Sequence, residues 1–471
     1  MTSLSLCMIV RDEAQNIARC LNSVQGVADE IVIVDTGSTD DTVALCEAMG
    51  ARVWQQPWQD DFSRARNAAL DRANGEWIFV LDADDEVDPR DRLKIRPLLD
   101  DSSADAYFFV TENWVGSLED PLSIRYAQIR LFRNRIDFRY EGVIHEIIPA
   151  LSEARSKMIP IRIIHRGYLN EEVTNRNKIN RNITLLEKSL SKRPKDPWLN
   201  YYLGNEMLRA DHPYKADQRY SDALQYLQHE VWIPDLPLKY ATSAWQSGDL
   251  QKSIELLKQG LLHTPRYTDL WYVLAMIYYD QNLLEKASQA FEKCLELGEA
   301  PSAYQTLEGV GTFRPSYYLG LIALEKDDLQ GGRRGFVQAI SYCPAFQPAI
   351  VQLCLCDWIV DAFDEARSIL QATEAVIENN NRSWIDALYD LTDIFATRRL
   401  SLDWFSKEVH QSSLFSALES LSHFDRNDVV GSIFYQLPND GRRSLSEQPW
   451  LYKALSNFWR WTLTCLEDLR C

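Results

Sequence analysis

The segment Trp77-Ile-Phe-Val-Leu-Asp82-Ala-Asp84-Asp85-Glu86 begins as an apolar run of β-branched and aromatic residues and ends in four acids within five positions. Such a run is the mark of a strand buried on both faces of a parallel sheet. Acids at its end fall at the carboxyl edge of that sheet, where open α/β folds hold their ligands. Clustered carboxylates repel one another. A hard cation such as Mg2+ or Mn2+, which prefers oxygen ligands and shares its shell with substrate phosphates, removes that conflict. The same acids also suit a solvated turn that caps a helix after Pro89.

The residues before this strand supply its neighbours. Leu4 to Val10 reads as a first strand, followed by the turn Arg11 to Asn16 and a helix carrying Ile17, Cys20, Leu21 and Val24. Glu30 to Val34 is a second strand, ending in Asp35-Thr-Gly-Ser-Thr-Asp-Asp-Thr42. Gly37 frees the backbone there, and Ser38, Thr39 or Asp40 can cap the next helix, which makes a place for an anionic or nucleotide ligand. Ala51 to Trp54 is a short third strand. A helix opening at Asp61 then sets Arg64 and Asn67 one turn apart. Arg64 is a phosphate clamp on this reading, or a surface arginine paired with Asp60 or Asp61. The β-α-β-α-β-α-β order predicts an α/β fold with a doubly wound, mostly parallel sheet.

Four segments follow in order within the first third of the chain: Cys7-Met-Ile-Val-Arg-Asp-Glu13, Val34-Asp-Thr-Gly-Ser-Thr-Asp-Asp-Thr42, Asp61-Phe-Ser-Arg-Ala-Arg-Asn67 and Leu81-Asp-Ala-Asp-Asp85. Together they resemble the nucleotide-sugar domain of the family 2 glycosyltransferases, which have the GT-A fold. The resemblance implies that Asp82-x-Asp84 is the DxD motif, holding Mn2+ or Mg2+ on the diphosphate of a nucleotide sugar, with a UDP-sugar as the first choice of donor. It also implies Asp35 and Thr36 at the nucleoside, Arg64 near the diphosphate or base, and the turn Arg11 to Glu13 over the base. Many members carry two consecutive acids where this chain has Asp35-Thr36, so the base contact of a second acid does not carry over. Asp84 and Asp85 can also divide the metal and ribose contacts differently.

Ala106 to Thr111 and Ile124 to Phe132 read as further strands on the acceptor side. Arg125, Arg130, Arg133, Arg135 and Arg139 interleave with Tyr126, Phe132, Phe138 and Tyr140, a pattern open to nucleic-acid binding or to phosphate contacts and charged edge strands. The acidic balance of the whole favours the second. Tyr140-Glu141-Gly142-Val-Ile-His145-Glu146 and Ile163-Ile-His165-Arg166-Gly167-Tyr168 hold two of the seven histidines. Inverting transfer needs a carboxylate to take the acceptor's proton. By the resemblance Glu146 occupies that place, with Glu141 second, and His165 completes a metal shell with Asp84 and Asp82. The plainer readings are an N-cap glutamate and a core histidine.

Composition narrows the class. A chain of 471 residues implies two or three domains. The formal net charge of −18 opposes non-specific binding to nucleic acid or anionic membranes. No apolar run reaches the length needed to span a bilayer, and Met1 to Val10 reads as a strand rather than a signal peptide. Nine scattered cysteines suit reduced, buried thiols and a cytoplasmic protein, with the Cys354/Cys356 pair in the core rather than on zinc.

After Tyr168 the texture becomes helical. Gly204, Ala275, Gly320 and Cys354, with Ala241 as a weaker copy, recur at steps of 37, 34, 45 and 34 residues. This resembles the tetratricopeptide (TPR) repeat, with a loop inserted around Glu299 to Thr312. Stacked helix pairs of this kind form an α-solenoid with a concave surface, and Trp198, Tyr201, Tyr202, Trp245, Tyr272, Tyr279 and Tyr317 either line it or fill its core. Residues 375–471, with Trp384, Trp404, Phe405, Trp450, Phe458, Trp459 and Trp461, read as irregular helices, a cap or a homodimer surface. The expected domains are 1–170 for the GT-A part, 171–374 for the repeats and 375–471 for the C-terminal helices. The expected function is metal-dependent transfer from a nucleotide sugar to a peptide or protein held by the repeats. The alternatives are an envelope-glycan or lipid-linked acceptor, or a nucleotide-sugar-binding scaffold without turnover.

Overall fold

The computed structural model describes residues 2–116, 121–169, 176–227, 233–360 and 362–376, with six further positions between 385 and 396. The C-terminal aromatics named above and the dimer surface expected there lie outside the described residues.

Four strands make the parallel part of the sheet: β1 (Leu4–Val10), β2 (Glu30–Asp35), β3 (Arg52–Gln55) and β4 (Trp77–Val80). They alternate with α1 (Ile17–Ser23), α2 (Thr42–Ala48) and α3 (Phe62–Leu70). Their order is β3-β2-β1-β4, with β1 at the centre between β2 and β4. Trp77, Ile78, Phe79 and Leu81 are fully buried, as a strand covered on both faces requires. Beyond β4 the sheet turns mixed. β7 (Pro121–Arg133) runs antiparallel to β4, and β6 (Ala106–Gly116), β8 (Ser156–Leu169) and β5 (Asp85–Val87) follow in that order.

Three strands escaped the periodicity reading: β8, β5 and β9. β5 is built from the acidic segment itself, and β9 (Thr306–Leu307) lies in the loop expected between two repeats. β9 pairs antiparallel with Ile124 and Arg125 of β7, and the Glu308 amide donates to the Ser123 carbonyl at 2.9 Å. Two residues carry no alternation to detect, and acids are poor strand formers.

Of the interleaved arginines, four are engaged locally. Arg125 pairs with Glu112 and Glu308, Arg135 with Asp137 and Arg139 with Asp71, while Arg133 lies over the Trp77 ring. Only Arg130 of the five turns into the fold, where it is 4% exposed.

The helical part comprises α4 (Arg176–Lys192), α5 (Pro197–Arg209), α6 (Pro213–Tyr226), α7 (Leu236–Gln246), α8 (Leu250–His263), α9 (Thr268–Asp280), α10 (Leu284–Leu297), α11 (Phe313–Glu325), α12 (Leu329–Tyr342), α13 (Gln347–Ile359) and α14 (Phe363–Glu374). Pairs form between α5 and α6, α9 and α10, and α11 and α12. Small residues sit where they cross. A Cβ on Gly204 would stand 2.6 Å from the Tyr220 ring, and one on Gly320 would stand 2.7 Å from Phe336. Tyr201, Trp245, Tyr272 and Tyr317 are buried between helices, so they do not line an open surface. They fill the space that the small residues leave. Trp198 stays exposed, and Tyr202 and Tyr279 are half-buried.

The chain forms two compact units. One comprises Met1–Gly260 with Pro301–Glu308, and therefore holds the whole sheet together with α4 to α7. The other comprises Leu261–Ala300 with the described residues from Gly309 onward.

Candidate active site

At the end of β4 the chain makes a tight acidic turn. The Asp82 amide donates to the Asp85 carboxylate at 2.8 Å, and the Asp85 amide donates back to the Asp82 carbonyl at 3.0 Å. The turn delivers Asp85 to the start of β5, which pairs antiparallel with β8 so that Asp85 stands directly across from His165. Residues opposite one another in such a ladder bring their side chains together. His165 Nδ1 lies 2.9 Å from Asp85 and 3.5 Å from Asp84.

Asp84, Asp85 and His165 present ligand atoms within 4.8 Å of one another. Carboxylate oxygens plus an imidazole nitrogen are donors that Mg2+ or Mn2+ accepts. Asp85 is wholly buried and paired with Arg130 at 2.8 Å, so its part is to orient the imidazole. His165 Nδ1 faces both carboxylates, so a cation held between Asp84 and His165 would meet the ring on that edge, where Asp85 fixes its orientation. Burial would lower the His165 imidazole, but Asp84, Asp85 and Asp82 outweigh it and raise it to about 9. Asp84 is raised by burial, with Asp85 and Asp82 adding to the effect. Negative charge is in excess at this point, and the donor set fits a divalent cation.

Asp82 is placed differently. Its carboxylate accepts from Arg66 at 2.9 Å and lies 4.0 Å from Arg130. Burial pushes this carboxyl up, but Arg66, Arg130 and His165 together hold it well below the usual range. Asp82 thus borders the Asp84–His165 pair on the arginine side, and keeps 35% of its side chain open to solvent.

Arg66 links two of the expected residues. Its Nη2 donates to Asp82 and its Nε to Glu146. The segment from Asp61 to Asn67 explains itself through the loop that carries Glu146. Asp61 caps α3 by accepting from the Arg64 amide. The Phe62 amide donates to the Val143 carbonyl at 2.9 Å, and Asn67 exchanges two hydrogen bonds with the Tyr140 backbone at 2.9 and 2.8 Å. The loop closes on itself through the Glu141–Ile147 bridge. Glu146 points inward with a side chain 10% exposed, whereas Glu141 and the Arg64 side chain are on the surface. Ala65 and Ala69 mark the buried face of α3, which places Arg66 beside that face and Arg64 away from it.

The loops after β1 and β2 are stitched together. Thr39 donates from its amide to Asp12 at 2.7 Å, the Asp12 amide to Ser38 Oγ at 3.0 Å, and the Glu13 amide to Thr42 Oγ1 at 2.7 Å. The Asp35 carboxylate accepts from the Gly37 and Ser38 amides, and Thr36 donates its hydroxyl to the Val10 carbonyl. The amides that the sequence offered to an anion are therefore taken by the chain's own carboxylates. α2 begins with its first amide on Asp40. Asp35 and Thr36 are buried and shape the loop, while Arg11 is exposed on its rim.

Comparison with known proteins accords with this arrangement. The family model described as glycosyl transferase family 2 matches residues 5–159, and one described as tetratricopeptide repeat matches 244–310. A TPR repeat-containing protein of Synechococcus elongatus is 34% identical over 306 residues, which is 62% of this chain and 74% of the relative. The SPbeta prophage-derived glycosyltransferase SunS of Bacillus subtilis is 29% identical over 231 residues, 48% of this chain and 52% of SunS. The chain thus spans about half the length of SunS. Among solved structures, S. aureus TarS shares 15% identity over 54% of each chain with a TM-score of 0.32, a likeness too slight to argue from. The sheet, its acidic edge and the helix pairs define a GT-A-type domain joined to tetratricopeptide-like helices. The chain belongs to the family 2 glycosyltransferases, and it is a glycosyltransferase that carries TPR repeats.

Proposed function

We propose that this enzyme transfers a sugar from a nucleotide sugar, with a UDP-sugar as the first donor to test, to a peptide or protein acceptor held by the helical repeats. The observation that carries the reading is the convergence of Asp84, His165, Asp82, Arg66 and Glu146 at the edge of one sheet. Asp84 and His165, with Asp82 beside them, would hold Mn2+ or Mg2+. When bound, such a cation neutralises charge on the departing nucleoside diphosphate. Asp85 keeps the His165 ring oriented, and Arg130 satisfies Asp85 in the interior. Arg66 fixes Glu146 in the cleft, and Glu146 takes the proton from the acceptor hydroxyl or thiol as the anomeric carbon is attacked, with Glu141 as the second choice. Attack by the deprotonated acceptor on the face opposite the departing diphosphate inverts the anomeric carbon. Arg11, Glu13, Asp35, Thr36 and Arg64 belong to the nucleotide side, the buried pair Asp35 and Thr36 by shaping the loop, and Arg11, Arg64 and the half-buried Glu13 by contact. The functional division is 1–170 for transfer and 171–374 for acceptor binding, with 375–471 a further helical region.

Seven free cysteines among the described residues, six of them buried, fit a reducing compartment such as the cytoplasm. Among the described residues no helix is long and apolar enough to cross a membrane.

The test is nucleoside diphosphate release from a panel of nucleotide sugars with Mn2+, with a lysate as acceptor source. The wild type should release it, and Asp84→Ala should lose release by roughly a hundredfold or more. Binding without release by the wild type would favour a scaffold instead.

A further inference from the structure

Apart from Arg66 on Glu146 itself and the Glu141–Ile147 bridge, the loop that carries Glu146 is held from outside at three points, and the third serves neither the donor nor the cation. Asn67 secures Tyr140 and the Phe62 amide secures Val143. At His145 the backbone enters the left-handed region with φ of 53°, which few residues other than glycine adopt. There the imidazole lies flat on the Tyr202 ring of α5, with centroids 3.8 Å apart and planes within 10°. Tyr202 is itself bracketed on α5 by Tyr201 at 5.2 Å and Trp198 at 6.0 Å, which limits its freedom to swing away.

The next residue after His145 is Glu146. A return of His145 to negative φ would rotate the following peptide and turn the Glu146 carboxylate out of reach of Arg66. We propose that Tyr202 is a positioning residue for sugar transfer: its ring holds His145 in the left-handed conformation that directs Glu146 into the cleft. This rests on the reading of Glu146 as the base. It also makes α5, the first helix with a repeat-type glycine, Gly204, part of the machinery that registers the base.

The experiment compares the full chain with Tyr202→Ala, Tyr202→Leu and Tyr202→Phe. Amide hydrogen exchange over 141–147 reports the loop directly, without any substrate. UDP release from UDP-glucose and UDP-N-acetylglucosamine with Mn2+ gives kcat and KM, and calorimetry gives UDP affinity. Removing the flat ring, as Ala or Leu, should speed exchange across the loop by about tenfold or more. It should lower kcat by roughly tenfold to a hundredfold while UDP affinity stays within about twofold, and Phe should restore both. Leu keeps apolar volume and replaces Ala if that variant fails to fold. Unchanged exchange at 144–147 in a folded Ala or Leu variant would overturn the proposal, as would a kcat loss matched by an equal loss of UDP affinity. Glu146→Gln separates the two ideas. If it releases UDP at the wild-type rate, the base assignment fails, while the exchange data still decide whether Tyr202 holds the loop.

Discussion

Arg66 stands between the two halves of the site, donating to Asp82 with one nitrogen and to Glu146 with another. A planar guanidinium serves the two carboxylates from two separate nitrogens in a fixed fork, whereas an ammonium offers a single nitrogen on a shorter reach. Arg66→Ala is expected to lower kcat by about a hundredfold, and Arg66→Lys to recover only part of that, measured as nucleoside diphosphate release. Asp85 tests a different property. It is wholly buried and faces Arg130, so Asp85→Asn leaves a buried guanidinium without its carboxylate. The expected cost is about 3–5 kcal/mol, seen as a fall in melting temperature on the order of 10 °C. Asp88 gives a pH-dependent counterpart. Its hydrogen bonds with Arg90, and the nearby Arg162, hold its carboxyl down from 3.8 to about 2. A depressed carboxyl stabilises the fold in full above its unfolded value and loses that contribution as pH falls from about 4 to about 2. The contribution is at most about 2.5 kcal/mol, and less after solvent screening at the exposed Arg90. The urea midpoint of Asp88→Asn should therefore lie below the wild type at neutral pH, with the gap closing through that acid window.

At the level of elements, the helix pairs depend on residues without side-chain bulk at their crossings. A Cβ on Gly335 would meet the Gly320 backbone at 2.6 Å, an obstacle that cannot rotate away. One on Gly204 would meet the fully buried Tyr220 ring at 2.6 Å. Gly335→Ala is expected to cost about 1–3 kcal/mol through forced separation of α11 and α12, and Gly204→Ala somewhat less, because a ring can shift further than a backbone. Chemical denaturation of the two variants checks the order. In sequence, Tyr220 lies sixteen residues after Gly204 and Phe336 sixteen after Gly320. The recurrence of small residues was legible in the sequence, but which ring fills each crossing was not. β9 was not legible, because a strand of two residues has meaning only beside the strand it pairs with.

On the scale of the molecule, the site lies within the unit formed by Met1–Gly260 with Pro301–Glu308. A ligand that binds only the folded state stabilises what it binds, by about 2.7 kcal/mol at a hundredfold excess over Kd. Mn2+ with UDP should therefore raise the melting transition of that unit by several degrees, and leave the transition of the other unit in place, as read by calorimetry. Asp84→Ala should abolish the Mn2+-dependent part of the shift, and a chelator should reverse it in the wild type.

Local composition was enough for the β4 strand, the acidic turn after it and the repeat glycines, because burial on both faces and close helix crossings each demand particular residue types at fixed spacing. Asp84, His165 and Glu146 were nominated as a group by the resemblance to the family 2 glycosyltransferases, since composition alone read them as a turn acid, a core histidine and a cap. Which arginine meets Glu146, and which acid orients His165, depended on the fold. Arg64 and Arg66 are equivalent in composition, and only the direction of the buried face of α3 separates them. Asp85 meets His165 because β5 and β8 run antiparallel in one register, and a register between distant segments leaves no trace in either segment alone.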